Sequence, residues 1–277
     1  MAWTSIVLLI GGGMLAGFVG GVIGIGGGLI FAPFLFFYFE ALGVDPAVLT
    51  PLTLGSSLFC TLVVASVSAY FQHKREAVDW TVAWQVGLAS AVAVFLMTRF
   101  VTTQPWYDGG VFQTVFSVVL LVVAVRMSLG KKKRSGDEVA DPKTLGWPKL
   151  FGTGTAAGSL AAAAGVGGGV VLVPAYDHLL KLPLLRAVGT SSATIIFIVF
   201  GGVLNYGFTG LGAPVPSGTF GYVDVAHAAL LAVPSVPMAR LGVWVSHKID
   251  TQWLRRGFAV LCVLVAVRLL VRVWGGG

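Results

Sequence analysis

The chain has 277 residues, of which 56% are hydrophobic and only 10% are charged, and its mean hydropathy is +0.90. Soluble domains carry about 25% charged residues, so this composition excludes a water-facing globular protein. The net charge of +7 does not indicate nucleic-acid binding, because the basic residues fall in short loops and at the ends of apolar segments, where they determine membrane topology.

Long apolar segments predict an all-α polytopic membrane protein, since a spanning helix needs about 20 such residues. In chain order the predicted segments are 4–39, 49–72, 80–101, 110–129, 150–180, 187–209, 225–245 and 252–273. They form an N-terminal membrane repeat over 1–130 and a C-terminal one over 149–277, joined by a basic linker over 131–148. The N-terminus has no basic region before its apolar run, which favours a mature membrane segment over a cleaved signal peptide.

A glycine motif occurs twice in the chain. Gly24-Ile-Gly-Gly-Gly28 is followed by Pro33, and Gly165-Val-Gly-Gly-Gly169 is followed by Pro174, so the second copy lies 141 residues after the first. Three more landmarks recur in the same order: Ser-Ser at 56–57 and 191–192, Val-Asp at 78–79 and 223–224, and Ala-Val-Arg at 124–126 and 266–268. This recurrence indicates two sequence repeats.

The charges of the loops predict that the two repeats are inverted. The basic segments 73–75, 131–134, 181–186 and 247–256 are assigned to the cytoplasm, and the segments 40–45, 102–108 and 210–222, which lack Lys and Arg, are assigned to the outside. Matching loops of the two repeats then fall on opposite sides.

Inversion requires that each interrupted first segment turn back inside the membrane as a re-entrant hairpin. The arm 29–39 reaches only about 17 Å, too short for a hydrocarbon core of about 30 Å. The alternative is that 4–39 and 150–180 are spanning helices.

The glycine motifs predict an anion site. Glycine permits positive φ, so backbone N–H groups can point into a cavity, and the helix that follows carries partial positive charge at its N-terminus. The candidate donors are the backbone N–H groups of Gly26, Gly27, Gly28, Gly167, Gly168 and Gly169. The alternative is that these glycines only permit close helix packing.

Polar side chains in the following helices complete the predicted substrate site. Hydroxyl groups can donate to an oxyanion without adding charge, or bond back to carbonyls of their own helix. The candidates are Ser56, Ser57, Thr190, Ser191 and Ser192, with Asn205 as a further ligand or a packing amide. Thr53 and Cys60 are candidate pathway residues, and a buried structural thiol is the alternative for Cys60.

Ionisable residues near these segments are candidates for coupling. Asp177 and His178 lie in the second hairpin and are either a proton-coupling pair or an interfacial pair. His73 belongs either to a cytoplasmic anion funnel or to an ordinary orientation loop. Asp79 and Asp224 are predicted to cap the helices that follow them.

At these residues the sequence resembles the TauE/SafE sulfite exporter family, also called the TSUP family. The resemblance covers the whole chain: the paired Gly-x-Gly-Gly-Gly…Pro segments, Gly189-Thr-Ser-Ser192, and the basic loop before Val78-Asp79-Trp80. It implies a multi-pass plasma-membrane transporter of sulfur-containing organic and inorganic anions, among them sulfite, sulfoacetate and thiosulfate. The motif marks membership in the family and does not specify the substrate.

The expected function is therefore secondary transport, in which sulfite or a small organosulfonate is exported across the inner membrane with proton coupling. The expected partners are the anion, the lipid bilayer and protons, and a homo-oligomer is left open. No enzymatic activity, cofactor, metal or nucleic-acid partner is expected. An uptake permease or channel for a sulfur oxyanion such as thiosulfate is the alternative. A membrane redox enzyme is more distant, because the four histidines and two cysteines are scattered.

Overall fold

The computed structural model describes residues 3–129, 146–216, 218–249 and 251–275, and these are built from helices and loops. The helices are α1 (Trp3–Ile23), α2 (Gly28–Ala41), α3 (Pro46–His73), α4 (Trp80–Met97), α5 (Gly109–Leu129), α6 (Trp147–Ala164), α7 (Gly169–His178), α8 (Leu184–Thr209), α9 (Val225–Ser246) and α10 (Thr251–Gly275). A π-helical turn, Thr98–Thr102, extends α4. Most of the predicted basic linker, 131–145, lies outside the described residues.

Five of the helical stretches are long and apolar enough to cross a membrane: Ser5–Ile23, Pro46–His73, Trp80–Thr102, Leu184–Thr209 and Val225–Ser246. Large apolar side chains such as Val7, Val92 and Val233 are more than half exposed on the outside of the bundle. Such a surface is expected to face lipid and not water. The prediction of an all-helical, multi-pass membrane protein is confirmed.

The first and fifth predicted segments are each interrupted at the glycine motif, as the sequence predicts. The chain leaves α1 at Ile23 and begins α2 at Gly28, and it leaves α6 at Ala164 and begins α7 at Gly169. The start of α2 lies against Ala16 of α1 and the start of α7 against Ala157 of α6, so each pair folds back as a hairpin of which α2 and α7 are the shorter arms.

The longer arm of each hairpin packs against a helix from the other half of the chain. A Cβ atom placed on Gly13, Gly17 or Gly21 of α1 would lie 2.1, 2.3 or 2.2 Å from the carbonyl oxygens of Leu231, Ser235 and Ala239 of α9, respectively. In the same way, a Cβ on Gly158 of α6 would lie 2.2 Å from the carbonyl oxygen of Ser90 of α4. Small residues four positions apart let two membrane helices approach this closely.

Helices α3 and α8 occupy the interior and run in opposite directions. Gly55, near the start of α3, lies against Tyr206, near the end of α8. Gly189, near the start of α8, lies against Ala77, just beyond the end of α3. Their serine segments, 56–57 in α3 and 191–192 in α8, therefore lie toward opposite ends of this helix pair.

The predicted capping role of Asp79 and Asp224 is confirmed. Each carboxylate accepts a hydrogen bond from the backbone N–H three residues later, Asp79 from Val82 at 3.1 Å and Asp224 from His227 at 3.0 Å. These bonds satisfy N–H groups that a helix start leaves without an intrahelical partner, so α4 and α9 begin where they do.

Candidate functional site

The two glycine turns have the same backbone conformation. In each turn the first, third and fourth residues of the motif have left-handed φ angles. These are 76°, 74° and 79° for Gly24, Gly26 and Gly27, and 64°, 71° and 78° for Gly165, Gly167 and Gly168. Residues with a side chain rarely adopt such angles, so the sequence requirement for glycine here is conformational.

The tips of the two turns touch each other inside the protein. A Cβ on Gly28 would lie 2.7 Å from backbone atoms of Val166, and a Cβ on Gly169 would lie 2.6 Å from Cα of Ile25. The segments 20–33 and 161–170 are buried throughout. Both turns therefore meet in the interior, with backbone against backbone.

Each turn leads directly into a helix whose N-terminus is uncapped by any side chain. Gly27 is the N-cap of α2 and Gly168 is the N-cap of α7, and neither cap residue forms a side-chain hydrogen bond. The carbonyl oxygens of Gly27 and Gly168 are the first acceptors of α2 and α7, and they accept from the backbone N–H groups of Ile30 and Val171. The N–H groups before these two residues therefore have no acceptor within their own helix. Two helix N-termini, each with partial positive charge, thus lie at the same contact.

Two of the predicted hydroxyl groups form hydrogen bonds to these turns, each one to the turn in the other half of the chain. Oγ of Ser57, on α3, donates to the carbonyl oxygen of Gly165 at 2.8 Å. Oγ of Ser191, on α8, donates to the carbonyl oxygen of Gly24 at 2.7 Å. Each half therefore holds the first glycine of the turn of the other half.

Three other predicted hydroxyl groups also have protein partners. Oγ of Ser56 accepts from the backbone N–H of Asp224 at 2.8 Å, and Oγ1 of Thr190 accepts from the backbone N–H of Asp79 at 3.0 Å. Ser192 donates to the carbonyl four residues before it, at 3.0 Å, which was the alternative role for such hydroxyls.

These contacts correct the predicted register between the serine motifs. The sequence matches Ser56-Ser57 with Ser191-Ser192, because the letters are identical. The equivalent hydrogen bonds instead pair Ser56 with Thr190 and Ser57 with Ser191, an offset of 134 residues and not 135. The hydroxyl group is the feature that both halves share at these positions, and Thr supplies it as well as Ser.

The remaining predicted polar residues lie at different depths. Nδ2 of Asn205 donates to the carbonyl of Phe95 at 3.1 Å, and this contact ties α8 to α4. Sγ of Cys60 lies 3.4 Å from the carbonyl of Ala228, to which it donates. Thr53 is fully buried, and its hydroxyl has no hydrogen-bond partner in the described part of the chain.

Thr61, one turn beyond Ser57 on α3, lies between the two glycine turns. Its methyl carbon would be 2.7 Å from a Cβ on either Gly26 or Gly167. The side chain is fully buried and its hydroxyl has no hydrogen-bond partner among the described residues. The signal in the sequence is the helical spacing, which places Thr61 on the same face of α3 as Thr53 and Ser57.

The ionisable candidates lie at the ends of α3 and α7. Nδ1 of His73 accepts from Nε1 of Trp80 at 3.2 Å, at the exposed end of α3. Asp177 is buried in α7, and the side chain of His178 lies outside those that the structure describes.

A carboxylate–imidazole pair that the sequence analysis missed lies at the start of α9. Oδ2 of Asp224 is 2.6 Å from Nδ1 of His227, and the rings of Tyr38 and Phe39 from α2 pack against the imidazole. The available signal was the spacing of three residues between a capping aspartate and a histidine within one helical turn.

Comparison with known proteins identifies the family of the chain. The sequence model of the family described as "Sulfite exporter TauE/SafE" matches residues 9–269. A probable membrane transporter protein of Methanocaldococcus jannaschii is 28% identical over 252 residues, which cover 90% of this chain and 89% of that protein. Another, of Haemophilus influenzae, is 27% identical over 272 residues, covering 98% and 100%. No solved structure matches the chain significantly. The chain therefore belongs to the TauE/SafE sulfite exporter family of membrane transporters.

Proposed function

We propose that this protein is a secondary transporter that exports sulfite or a small organosulfonate, and that the anion binds where the two glycine turns meet. The observation that carries the proposal is the convergence of two uncapped helix N-termini on one buried contact. Backbone N–H groups and helix dipoles at such a place stabilise an anion without a basic side chain.

Residues around the contact are uncharged, which suits a small anion that must enter and leave. The atoms nearest the turns include those of Leu54, Thr61 and Ile195, and backbone atoms of Ala16, Ala157 and Val188. A basic side chain at this depth would add a strong attraction that opposes release. We infer that Gly26–Gly28 and Gly167–Gly169 supply the donors. When the bonds of Ser57 to Gly165 and of Ser191 to Gly24 break during transport, these two hydroxyls and their neighbours would also donate to the anion.

The paired contacts support the proposal that the halves are inverted repeats with re-entrant hairpins. Ser57 with Gly165 corresponds to Ser191 with Gly24, and α3 runs opposite to α8. Secondary transporters built in this way place the substrate near the midplane and alternate access by rocking one repeat against the other. The basic linker would then be cytoplasmic, as the loop charges predict, and the membrane would be the inner one, as the resemblance to the family implies.

Two side-chain contacts at equivalent positions of the two halves lie at opposite ends of the bundle, where each is suited to closing access to the site from one side. At the end that carries the basic loop 73–75, Nε2 of His247 lies 2.8 Å from Oε1 of Gln72. At the other end the hydroxyl of Tyr206 contacts that of Thr102. In the proposed cycle these contacts break alternately, one on each side of the membrane.

The proposal is tested by filling the turns. We expect Gly27→Leu and Gly168→Leu to abolish transport, because both residues have left-handed φ and a Cβ would meet backbone carbonyls at 2.8 and 3.0 Å. Transport of sulfite, sulfate, thiosulfate, sulfoacetate and taurine would be measured in proteoliposomes. The milder Gly27→Ala variant keeps the test valid if the leucine variants fail to insert.

The matched control is Gly43→Leu. Gly43 has the same left-handed φ, 74°, but a Cβ there would meet no atom within 4 Å. This variant should insert and transport, since it carries the same backbone strain away from the site. Full transport by folded Gly27 and Gly168 variants would refute the binding site. Counterflow and an imposed pH gradient would then separate proton-coupled export from uptake or channel activity.

A further inference from the structure

Five buried polar side chains on one face of α3 each have an atom without a hydrogen-bond partner among the described residues. The atoms are Oγ1 of Thr50, Thr53 and Thr61, Oγ of Ser68 and Nε2 of Gln72. Each of these residues is at most 1% exposed. In the described part of the chain, α3 holds most of the buried polar atoms that lack a partner. We call this set of five residues the α3 stripe.

The α3 stripe follows a single face of the helix. Successive members are 3, 8, 7 and 4 residues apart, and these spacings return to the same side at 3.6 residues per turn. From Thr50 to Gln72 the stripe rises about 33 Å, which matches the thickness of a hydrocarbon core of about 30 Å. Polar groups therefore run through the full depth of the membrane.

Unpaired hydroxyls are not the ordinary state of this protein's helices. Ser90, Thr114, Ser117 and Thr194 each donate to the carbonyl four residues earlier. Ser66, on another face of α3, does the same with Leu62. The members of the stripe forgo this bond, although leaving a buried polar group unpaired is unfavourable.

The stripe is a property of one half of the chain. With the offset of 134 residues that the serine contacts establish, the counterparts of Thr50, Thr53, Thr61 and Ser68 are Leu184, Ala187, Ile195 and Gly202 of α8. All four are without a hydroxyl, and Gln72 alone has a polar counterpart, Tyr206. Four of the five stripe positions are therefore polar in one copy of the duplicated scaffold, which points to a task that this copy performs.

The glycine contact lies at the middle of the stripe. Thr61 touches both turns, and Ser57, on the same face, binds the carbonyl of Gly165. The oxygen of Gln72 is occupied by His247, which leaves its NH₂ group as the unpaired donor at the far end. Every member of the stripe can thus donate a hydrogen bond, and none carries charge.

We propose that the α3 stripe is the path along which the anion passes between the glycine contact and the two membrane surfaces. The hydroxyl and amide groups replace the water that an oxyanion loses on entering, one donor after another. The stripe is suited to small oxyanions, sulfonates included, which only accept hydrogen bonds. This inference rests on the proposed transport function and adds the route and the residues that discriminate the substrate.

The experiment introduces single cysteines along the stripe in a chain in which Cys60 and Cys262 are alanine and transport has been verified. Thr53→Cys, Thr61→Cys and Ser68→Cys would be treated with a methanethiosulfonate reagent that carries a sulfonate, in proteoliposomes under turnover. The control is Ser117→Cys, since Ser117 is equally buried but its hydroxyl is bonded within α5.

We expect the stripe cysteines to react at least tenfold faster than the control, and excess sulfoacetate to slow their labelling. Equal rates at the stripe and the control would overturn the path. Labelling reads accessibility and does not depend on the Gly27 result, so the two proposals fail separately. If Gly27→Leu stops transport while the stripe remains inert, the binding site stands and the path is wrong.

Discussion

At the scale of single residues, Thr61 combines features that rarely occur together. Its side chain is fully buried, its methyl group touches Gly26 and Gly167, and its hydroxyl is without a hydrogen-bond partner among the described residues. The methyl group packs like that of valine, and the hydroxyl remains available to donate to a ligand. An anion bound at the glycine contact would supply the missing acceptor.

Thr61→Val should therefore weaken substrate binding while preserving packing. A hydrogen bond to a charged group contributes about 1.5–3 kcal/mol, so we expect a loss of affinity of roughly 10- to 100-fold. The half-saturating anion concentration in proteoliposome transport measures it. Thr61→Ser should stay near the original value. Thr194→Val is the matched control, because that hydroxyl is already bonded to Thr190 and Tyr176. An unchanged half-saturation in Thr61→Val would remove Thr61 from the site.

His247 gives a second prediction at this scale. Partial burial, and then the positive charge of Arg75, lower the pKa of His247 below its ordinary value of 6.5. The folded protein thus keeps the ring neutral to a lower pH than the unfolded chain does. This contribution to stability is complete above pH 6.5 and is lost as the pH falls through the lowered pKa.

The melting temperature in detergent should therefore fall between pH 7.5 and 5.5, by an amount on the order of a few degrees. His247→Gln should reduce the fall, since glutamine cannot take up the proton. A pH dependence that persists in full in His247→Gln would assign the effect to another group.

At the scale of elements, the hairpins depend on close contact between α1 and α9. Gly17→Leu should destabilise the protein strongly, because a Cβ at Gly17 would lie 2.3 Å from the carbonyl oxygen of Ser235. Overpacking of an interior costs about 1–3 kcal/mol. Gly11→Leu, on the same helix with nothing within 4 Å of its Cβ, should be tolerated. The yield of monodisperse protein and its melting temperature would report both, and equal stability of the two variants would contradict this packing.

The elements themselves could largely be predicted from the sequence. Apolar length, the glycine interruptions and the capping residues Asp79 and Asp224 are local properties, and they locate the helices to within a few residues. The partners of buried polar groups were less predictable. Whether Ser57 bonds to its own helix or to Gly165 depends on which backbone approaches α3, and that approach is set by tertiary packing.

The same reason explains what was missed. Asp224 and His227 could be recognised as helix neighbours, but the packing of Tyr38 on the imidazole requires the position of α2. Thr61 differs from Thr194 only in what surrounds its hydroxyl. A site that depends on an unpaired hydroxyl cannot be predicted until the positions of all possible hydrogen-bond partners are known.

At the scale of the whole molecule, the backbone is nearly two-fold in its contacts while the side chains are not. The paired bonds of Ser57 and Ser191 follow the repeat, and the α3 stripe departs from it. In the proposed transport cycle, the shared contacts would let the halves rock against each other, and the one-sided polar groups would give the anion a single route. We therefore expect one substrate pathway per chain, even though the glycine turns occur twice.

The contact between the two turns has a consequence for how this sequence can change. Because Gly28 lies against Val166 and Gly169 against Ile25, an enlarged residue in one copy of the motif collides with the other copy. A larger residue in one copy therefore requires a compensating substitution in the other copy, 141 residues away. The identical spacing of the two motifs therefore reflects a steric constraint that both copies share in the folded chain.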